Sequence, residues 1–339
     1  MKYSEQGMGH GHFDKLSYSL YDETGEVLQD YGAARWVNID QKGGGRYLKE
    51  NNTWAKQSVA HNTLVINETS HYKGDIRIGE KHHPDLYYFN GTGDVQVISA
   101  KSKNAYEDGE LHRTMVLVKE EDFRHPLLID VFKANTKTNS QFDLPIWFQG
   151  HLLQTNFDYT SELASLHTLG DGHGYQHLWK EAVGESKDNQ AQINWFSNGK
   201  FYSMTSAVGA ADELIFARLG ANDPQYNLRH DPTFIIRKKG QKKATFVSVI
   251  EPHGAYNRVT EFAEHPFTSV DKLTILQDDD NYTIIQFSNK KGKIWTLSLA
   301  HNDAVETSKH RVKVGEEIFE WTGVYQFANH KLFRRESKE

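Results

Sequence analysis

Residues 272–300, KLTILQDDDNYTIIQFSNKKGKIWTLSLA, contain three short runs in which apolar and polar residues alternate. The runs KLTILQ, YTIIQFS and IWTLSLA are separated by QDDDN and NKKGK. A period of two over four to eight residues predicts half-buried β-strands, and the polar, glycine-containing pieces between them predict turns. The stretch therefore predicts consecutive antiparallel strands, with NKKGK at 289–293 as a hairpin tip.

The same alternation recurs along most of the chain. Further predicted strands lie in KLSYSLYD (15–22), DVQVISA (94–100), RTMVLVK (113–119), PLLIDVFKA (126–134), NWFSNGKFYSMTS (194–206), ELIFARLG (213–220), TFIIRKKG (233–240) and ATFVSVIEP (244–252). KKGQKK at 238–243 is interpreted as a hairpin turn, and FVSVIEPHG as a strand that stops at a rim. Helical patterns are scarce, and 48–60 predicts either a short helix or an ordered loop.

These patterns indicate an all-β fold with one large antiparallel β-sandwich. No linker rich in proline, glycine or serine divides the chain, so 1–339 is predicted to be a single β-sheet domain. Within it, 1–260 would form the main sandwich and 261–339 a terminal β subregion.

Composition narrows the classes of function. The 339 residues carry a net charge of −6 and no long basic run, which argues against nucleic-acid binding. An anionic ligand would need a local basic pocket, because the overall field does not attract it. The absence of cysteine excludes disulfides and thiolate metal sites. No apolar stretch is long enough to span a membrane.

Four residues near the N-terminus suggest a metal site. His10 and His12 lie two apart in QGMGHGHFDKL, and they would share a face if that segment were extended. Asp30 closes EVLQD, which is predicted to pair with KLSYSLYD through the turn DETGE. His61 precedes the predicted strand NTLVIN. Zinc accepts imidazole nitrogen and carboxylate oxygen, so His12, Asp30 and His61 form a candidate ligand set, although sequence alone does not choose between the two N-terminal histidines.

Tyr47 and Arg35 are candidates for chemistry on an acidic sugar. Tyr47 follows three glycines in KGGGRYLKENN, and such a backbone lets a ligand approach closely. A tyrosine serves as a base only where nearby positive charge favours the phenolate, and Arg46 and Arg35 are the candidates for that charge. Arg35, in YGAAR, carries a guanidinium that is suited to binding a carboxylate through two hydrogen bonds.

Long motifs give the chain a specific resemblance. HGHFDKLSYSLYD, DYGAARW, GGRYLKENNTWAKQSVAHNTLVIN, NAYEDGELHRTM, GYQHLWKEA, RLGANDPQYNLRHDPTFIIR and FVSVIEPHG resemble the C-terminal β-sheet domain of alginate lyases of polysaccharide lyase family 17, within the heparinase II/III-like superfamily. The resemblance covers essentially the whole chain. It implies an enzyme that pairs this domain with an N-terminal (α/α) toroid and places the active cleft between the two.

The resemblance also implies an activity and a set of roles. Such enzymes release an unsaturated monosaccharide from alginate oligomers by β-elimination. Matched by motif, His12, Asp30 and His61 correspond to the ligands of a structural zinc ion. Tyr47 corresponds to a catalytic tyrosine, and His10 and Arg35 to substrate contacts. Glu264, in TEFAEHP, is a weaker candidate for a substrate contact, because its segment carries less of the motif.

The chain is expected to hold only half of such an active site. The family's second tyrosine and its asparagine–histidine pair lie on the toroid, so an N-terminal region is expected in cis or in trans. The resemblance implies a periplasmic or secreted location, although MKYSEQGMGHGHF lacks the apolar core of a signal peptide. The oligomeric state stays open, with a homodimer among the options.

Three other interpretations compete with this one. The chain could be a non-catalytic, carbohydrate-binding or structural zinc-binding β domain. It could act on another uronate polymer, such as a heparin-like chain. A cupin-like metal oxygenase also begins its motif with His-x-His, but a cupin usually has a glutamate three or four residues beyond the second histidine. Lys15 and Leu16 stand there instead.

Overall fold

The computed structural model describes residues 1–32, 36–39, 42–186 and 188–329. Its regular elements are almost all strands: β1 (Leu20–Asp22), β2 (Gly25–Leu28), β3 (Val65–Ile66), β4 (Asp85–Asn90), β5 (Val95–Tyr106), β6 (Gly109–Val118), β7 (Leu127–Ile146), β8 (His151–Thr155), β9 (Tyr159–Ser161), β10 (His167–Thr168), β11 (Leu178–Gly184), β12 (Gln190–Ser197), β13 (Lys200–Ala207), β14 (Glu213–Leu219), β15 (Pro232–Asn257), β16 (Phe262–Glu264), β17 (Val270–Asp278), β18 (Tyr282–Asn289), β19 (Ile294–Ala300), β20 (Lys309–Val314), β21 (Glu317–Thr322) and β22 (Tyr325–Asn329).

In the part of the chain that the structure describes, helical structure is limited to short turns. There is a four-residue α-helix, α1 (Ile76–Gly79), and a single π-helical turn at Asn51–Ala55. The 3₁₀ turns are Met8–His10, Lys42–Tyr47, Ser58–Ala60, His71–Gly74 and Tyr175–His177. No helix of the described residues is long and apolar enough to cross a membrane.

Two long strands form the centre of the main sheet. Strand β15 has 26 residues and β7 has 20, and they pair antiparallel from Phe234↔Ile146 to Ile250↔Leu128. Strands β14 and β13 pair with the first and second halves of β15, while β6, β5 and β4 continue the sheet beyond β7. All of these pairings are antiparallel.

A second sheet packs on one face of the main sheet. Its strands run in the order β17-β18-β19-β22, and β20 and β21 form a separate hairpin. Alternate residues of β6, β7 and β15, among them Val116, Ile129 and Val249, bury their side chains against Phe287 and Trp295 of the second sheet. This two-layer arrangement confirms the predicted antiparallel β-sandwich.

Two predictions about strand ends were wrong. KKGQKK at 238–243 is not a hairpin turn, because β15 runs through it without reversing. The ladder to β7 shifts its register twice between Lys238 and Lys243: β15 has the extra residue in the first step, beside the positive-φ Gly240, and β7 has the extra residues in the second step, between Asn135 and Ser140. Nor does β15 stop at the EPH segment, since its pairing with β13 and β16 carries it to Asn257.

The predicted strand at 15–22 is mostly irregular. Only Leu20–Asp22 is a strand, and it pairs with β2 across the predicted DETGE turn. Residues 13–18 are buried without strand pairing, and Leu16 has a left-handed backbone with φ of 61°. Here the alternating pattern reflects burial of a loop, whose backbone is held by other contacts described below.

Candidate active site and metal centre

His12, Asp30 and His61 converge from three separate segments. One ligand atom from each lies within 4.8 Å of the other two, and the two imidazole centroids are 5.1 Å apart. Nδ1 of His61 donates a hydrogen bond to the Asp30 carboxylate. His61 is fully buried, His12 is half-buried, and the Asp30 side chain keeps 39% of its surface exposed. The cluster is therefore buried on the side of His61 and open to solvent on the side of Asp30.

The protonation states of the group suit a cation. Burial, with a smaller effect from the neighbouring His61, lowers the pKa of His12 to about 4, so its ring is neutral near pH 7. Burial opposes ionisation of Asp30, but the positive charge and hydrogen bond of His61 outweigh it and hold the pKa of that carboxyl well below its usual range. His12 and Asp30 are thus in the forms that bind metal, whereas the charge and hydrogen bond of Asp30 outweigh burial and raise the pKa of His61, so a metal ion at that ring would displace its proton.

One unsatisfied atom also fits a metal ion at this place. Nε2 of His61 is buried and has no hydrogen-bond partner among the described residues. Buried polar atoms are rarely left without partners, and a cation bound by the ring would supply one. Two histidines and a carboxylate match the ligands that zinc accepts.

Asn62 ties the three ligand segments together. Its buried side-chain amide donates to the carbonyl oxygens of Tyr18 (3.0 Å) and Gln29 (2.8 Å). Its side-chain oxygen accepts from the backbone N–H of Trp147 at 2.8 Å. Because Asn62 follows His61 and Gln29 precedes Asp30, this one side chain sets the approach of two of the candidate ligands.

Arg113 supports the same loops from beneath, inside the main sheet. Its guanidinium donates to both carboxylate oxygens of Asp130, at 2.8 and 2.6 Å. It also donates to the carbonyl oxygens of Leu16 (2.8 Å) and Asn62 (2.6 Å). Arg113 is fully buried, and Asp130 is nearly so. The irregular backbone at 13–18 and 61–63 is therefore held by a buried ion pair.

Tyr47 stands in the open beside its neighbouring arginine. The Tyr47 side chain, at the end of the 3₁₀ turn Lys42–Tyr47, is 76% exposed. The Arg46 guanidinium carbon lies 4.6 Å from the centre of the ring, and the guanidinium donates to the phenolic oxygen. A cation at that position stabilises negative charge that develops on the oxygen.

The glycines before Tyr47 serve packing within the chain. A Cβ placed on Gly45 would lie 1.8 Å from the indole nitrogen of Trp36, so the close approach is made by Trp36 and not by a ligand. Trp36 contacts Tyr31 edge-on at 5.8 Å, and Tyr31 contacts Trp54 in the same way at 5.8 Å. A wall of aromatic rings thus connects the loop of Tyr47 with Tyr31, the neighbour of Asp30.

The other predicted site residues are not part of this ligand cluster. His10 ends an exposed 3₁₀ turn two residues from His12, so the condition of an extended segment is not met. Arg35 lies outside the described residues. Glu264 is exposed on β16 and contacts Arg124 at 3.6 Å. Among the described residues, only His12, Asp30 and His61 are brought into one cluster of candidate ligands.

Sequence reasoning missed Asn62, Arg113 and Asp130. A signal existed, because Arg113 and Asp130 each stand within an alternating apolar run, RTMVLVK and PLLIDVFKA. A charged residue at such a position is buried only if it is paired. The partners of Asn62 are backbone groups, and no sequence pattern identifies those.

The family of the chain follows from comparison with known proteins. The family model described as heparinase II/III-like, C-terminal, matches residues 1–250. The chain belongs to this family. The resemblance stated above on its motifs is therefore confirmed.

Two curated relatives are similar over nearly the whole chain. An exo-oligoalginate lyase of Saccharophagus degradans is 40% identical over 325 residues, which is 95% of this chain and 44% of the relative. An alginate lyase of Stenotrophomonas maltophilia is 38% identical over 318 residues, covering 94% and 43%. The chain thus spans less than half the length of either relative.

Solved structures support the fold at much lower identity. The heparinase III BT4657 gene product aligns with a TM-score of 0.56 at 10% identity, over 88% of this chain and 38% of that one. The heparan sulfate lyase HepC of Pedobacter heparinus aligns with a TM-score of 0.55 at 10% identity, over 89% and 39%. At such identity the likeness concerns the fold alone.

Proposed function

We propose that this chain is the β-domain half of the active site of an exo-type oligoalginate lyase. The reaction is β-elimination in alginate oligosaccharides, with release of an unsaturated uronate monosaccharide. The observation that carries the proposal is the 40% identity, over 95% of the chain, to a protein named exo-oligoalginate lyase. The ligand cluster and the exposed Tyr47–Arg46 pair support it.

The chemistry of a uronate defines the roles that are needed. The C5 proton is weakly acidic while the neighbouring carboxylate is charged, so donors must neutralise that carboxylate and stabilise the developing enediolate. A base then removes the proton, and an acid protonates the departing glycosidic oxygen. We assign one of these two proton transfers to Tyr47. Contact with the substrate is assigned to His10, Arg35 and Glu264, and neutralisation of the carboxylate to a partner toroid domain.

The metal ion in this proposal is structural. His12, Asp30 and His61 would hold zinc, which supplies a cross-link between three chain segments. Elimination requires no hydroxide nucleophile, so no proton transfer is assigned to the metal. A periplasmic or secreted location is part of the same proposal, because the resemblance to the family implies it.

The direct test is cleavage of alginate oligomers. The chain is incubated with them alone, and then with the portion of the Saccharophagus degradans relative that this chain does not cover. We expect ultraviolet absorbance from the new C=C bond, and a mass spectrum showing an unsaturated monouronate, in the combined sample. If neither sample forms product while oligomers still bind, the chain is a non-catalytic carbohydrate-binding domain.

Zinc is expected to stabilise the isolated chain. After removal of metal by a chelator, added zinc at 100 times its Kd should stabilise the fold by about 2.7 kcal/mol, because it binds only the folded state. Thermal unfolding measures the effect, and atomic absorption should find one zinc ion per chain.

Two variants test where the zinc ion binds. His61→Ala should abolish the thermal shift and the bound metal. His167→Ala, at an exposed strand position, should retain both. A zinc response that survives in His61→Ala would remove the metal from this cluster.

A further inference from the structure

A cleft of about 510 Å³ lies away from the ligand cluster and shares no lining residue with it. Three elements surround it: the turn between β6 and β7, the segment 265–269, and the β18–β19 hairpin tip. The segment 265–269 begins with the last two residues of TEFAEHP, and the hairpin tip begins with the first three residues of NKKGK. The proposed lyase function assigns no role to this hairpin tip. The volume falls within the range of small-ligand sites.

Side chains of β15 fix the segment 265–269 from below. Glu251 is 2% exposed, and its carboxylate accepts hydrogen bonds from the Thr268 hydroxyl and the Ser269 backbone N–H. Nδ1 of the buried His253 donates to the carbonyl oxygen of His265 at 2.8 Å. These contacts hold the wall of the cleft in a set position.

The hairpin tip is joined to that wall. The backbone N–H of Lys290 donates to the carbonyl oxygen of Ser269 at 3.0 Å. The Asn289 side-chain oxygen accepts from the backbone N–H groups of Lys291 and Lys293, each at 3.0 Å. Lys290 and Lys291 are thereby presented at the cleft by an ordered turn.

Positive charge dominates this cleft in an otherwise acidic protein, whose net charge is −6. Lys290 and Lys291 are exposed, and within the described residues neither forms an ion pair. Arg124 has a half-exposed contact with Glu264 at 3.6 Å, which is weak enough for a ligand to replace. The acidic residue of the lining, Asp122, is offset by its ion pair with Lys293.

An aromatic ring completes the cleft. Phe267 is 65% exposed, an unusual position for a phenylalanine on a segment held this firmly. An exposed ring beside cations offers a stacking surface for a sugar and charge for its carboxylate. A simple polyanion such as polyphosphate would use the cations but gain nothing from the ring.

We propose that this cleft binds a carboxylate-bearing sugar unit of an acidic oligosaccharide. Arg124, Lys290 and Lys291 pair with carboxylates, and Phe267 stacks on a sugar ring. The choice of a uronate polymer rests on the proposed function, whereas the location of the cleft does not. The site would hold a part of the oligosaccharide other than the unit that is cleaved, and Glu264, which lies against Arg124, would contact the substrate there.

The test measures the affinity of the full chain for alginate oligomers by calorimetry. Lys290→Ala/Lys291→Ala should raise the Kd up to about tenfold at low salt, because two partly screened charge pairs are lost. Phe267→Ala should raise it about three- to tenfold at both low and high salt, since stacking is not screened. All three side chains are exposed, so the fold should survive. Lys309→Ala/Lys313→Ala, with the same charge change on the hairpin β20–β21, should leave the Kd unchanged.

Further binding measurements distinguish a failure of the cleft proposal from a failure of the proposed lyase function. His61→Ala removes the ligand cluster, and the chain should then still bind oligomers in a manner sensitive to Lys290→Ala/Lys291→Ala. Wild-type affinity in that double variant, or complete loss of binding in a His61→Ala chain whose circular dichroism spectrum matches that of the wild type, would overturn the cleft. Polyphosphate that competes as well as alginate, together with a silent Phe267→Ala, would reduce the cleft to a general basic patch and overturn the sugar site.

Discussion

Replacing Tyr47 with phenylalanine is expected to lower the rate of alginate-oligomer cleavage by about 10²- to 10⁴-fold, the usual contribution of a proton-transferring side chain. The change removes one hydroxyl and keeps the ring. Because Tyr47 is 76% exposed and its side chain contributes little to the core, unfolding temperature should not change. The rate is measured by product absorbance in the combined sample described under the proposed function.

A second exposed tyrosine provides the matched control. Tyr159 on β9 is 51% exposed. Tyr159→Phe should leave the rate within about twofold of the wild-type rate, because substitutions on the surface usually have small effects. Arg46→Met should lower the rate as well, because the guanidinium that donates to the phenolic oxygen is lost. A Tyr47→Phe enzyme with unaltered kcat would take Tyr47 out of the chemistry.

Replacing Arg113 with methionine is expected to destabilise the fold by about 3–5 kcal/mol, because the buried Asp130 would be left without its counter-charge. Two backbone carbonyl oxygens, those of Leu16 and Asn62, would lose their donor as well. Urea unfolding followed by tryptophan fluorescence measures the free energy. Zinc affinity should fall in parallel, since the same carbonyl groups position the loop of His61.

A surface ion pair between an arginine and a carboxylate is the control. Arg311 contacts Glu320 at 2.9 Å on the hairpin β20–β21, with both side chains more than half exposed. Arg311→Met should therefore cost at most about 1 kcal/mol. Equal losses for Arg113→Met and Arg311→Met would contradict the role given to the buried pair.

Alternating sequence patterns were sufficient to predict the strands but not all of their ends. The runs at 272–277, 282–288 and 294–300 correspond to β17, β18 and β19, because polar turns separate them, although β19 is buried on both faces and not on one. KKGQKK carries the composition of a turn, yet β7 runs alongside it, and the strand continues through two shifts of register without reversing. A polar composition indicates that a segment is exposed to solvent. Whether the chain reverses its direction there depends on whether a neighbouring strand is present for it to pair with.

The candidate ligand cluster was accessible from sequence because its chemistry lies in residue type. Residue type alone left His10 and His12 as alternatives, the resemblance selected His12, and the structure brings His12, Asp30 and His61 together. The supporting contacts of Asn62 and Arg113 were not accessible, because they end on backbone carbonyl groups that only the folded loops bring within reach. The prediction that a ligand approaches the glycine before Arg46 was wrong, because the side chain of Trp36 lies against this glycine in the folded loop.

The long pairing of β7 with β15 has a consequence for how the domain unfolds. Every major layer is attached to one of these two strands: β6 and β14 on their flanks, β13 and β16 further along, and the second sheet on one face. A layer that detaches would expose unpaired backbone or buried apolar side chains of this central pair. The domain should therefore behave as one cooperative unit, with its most slowly exchanging amide protons in this central pair.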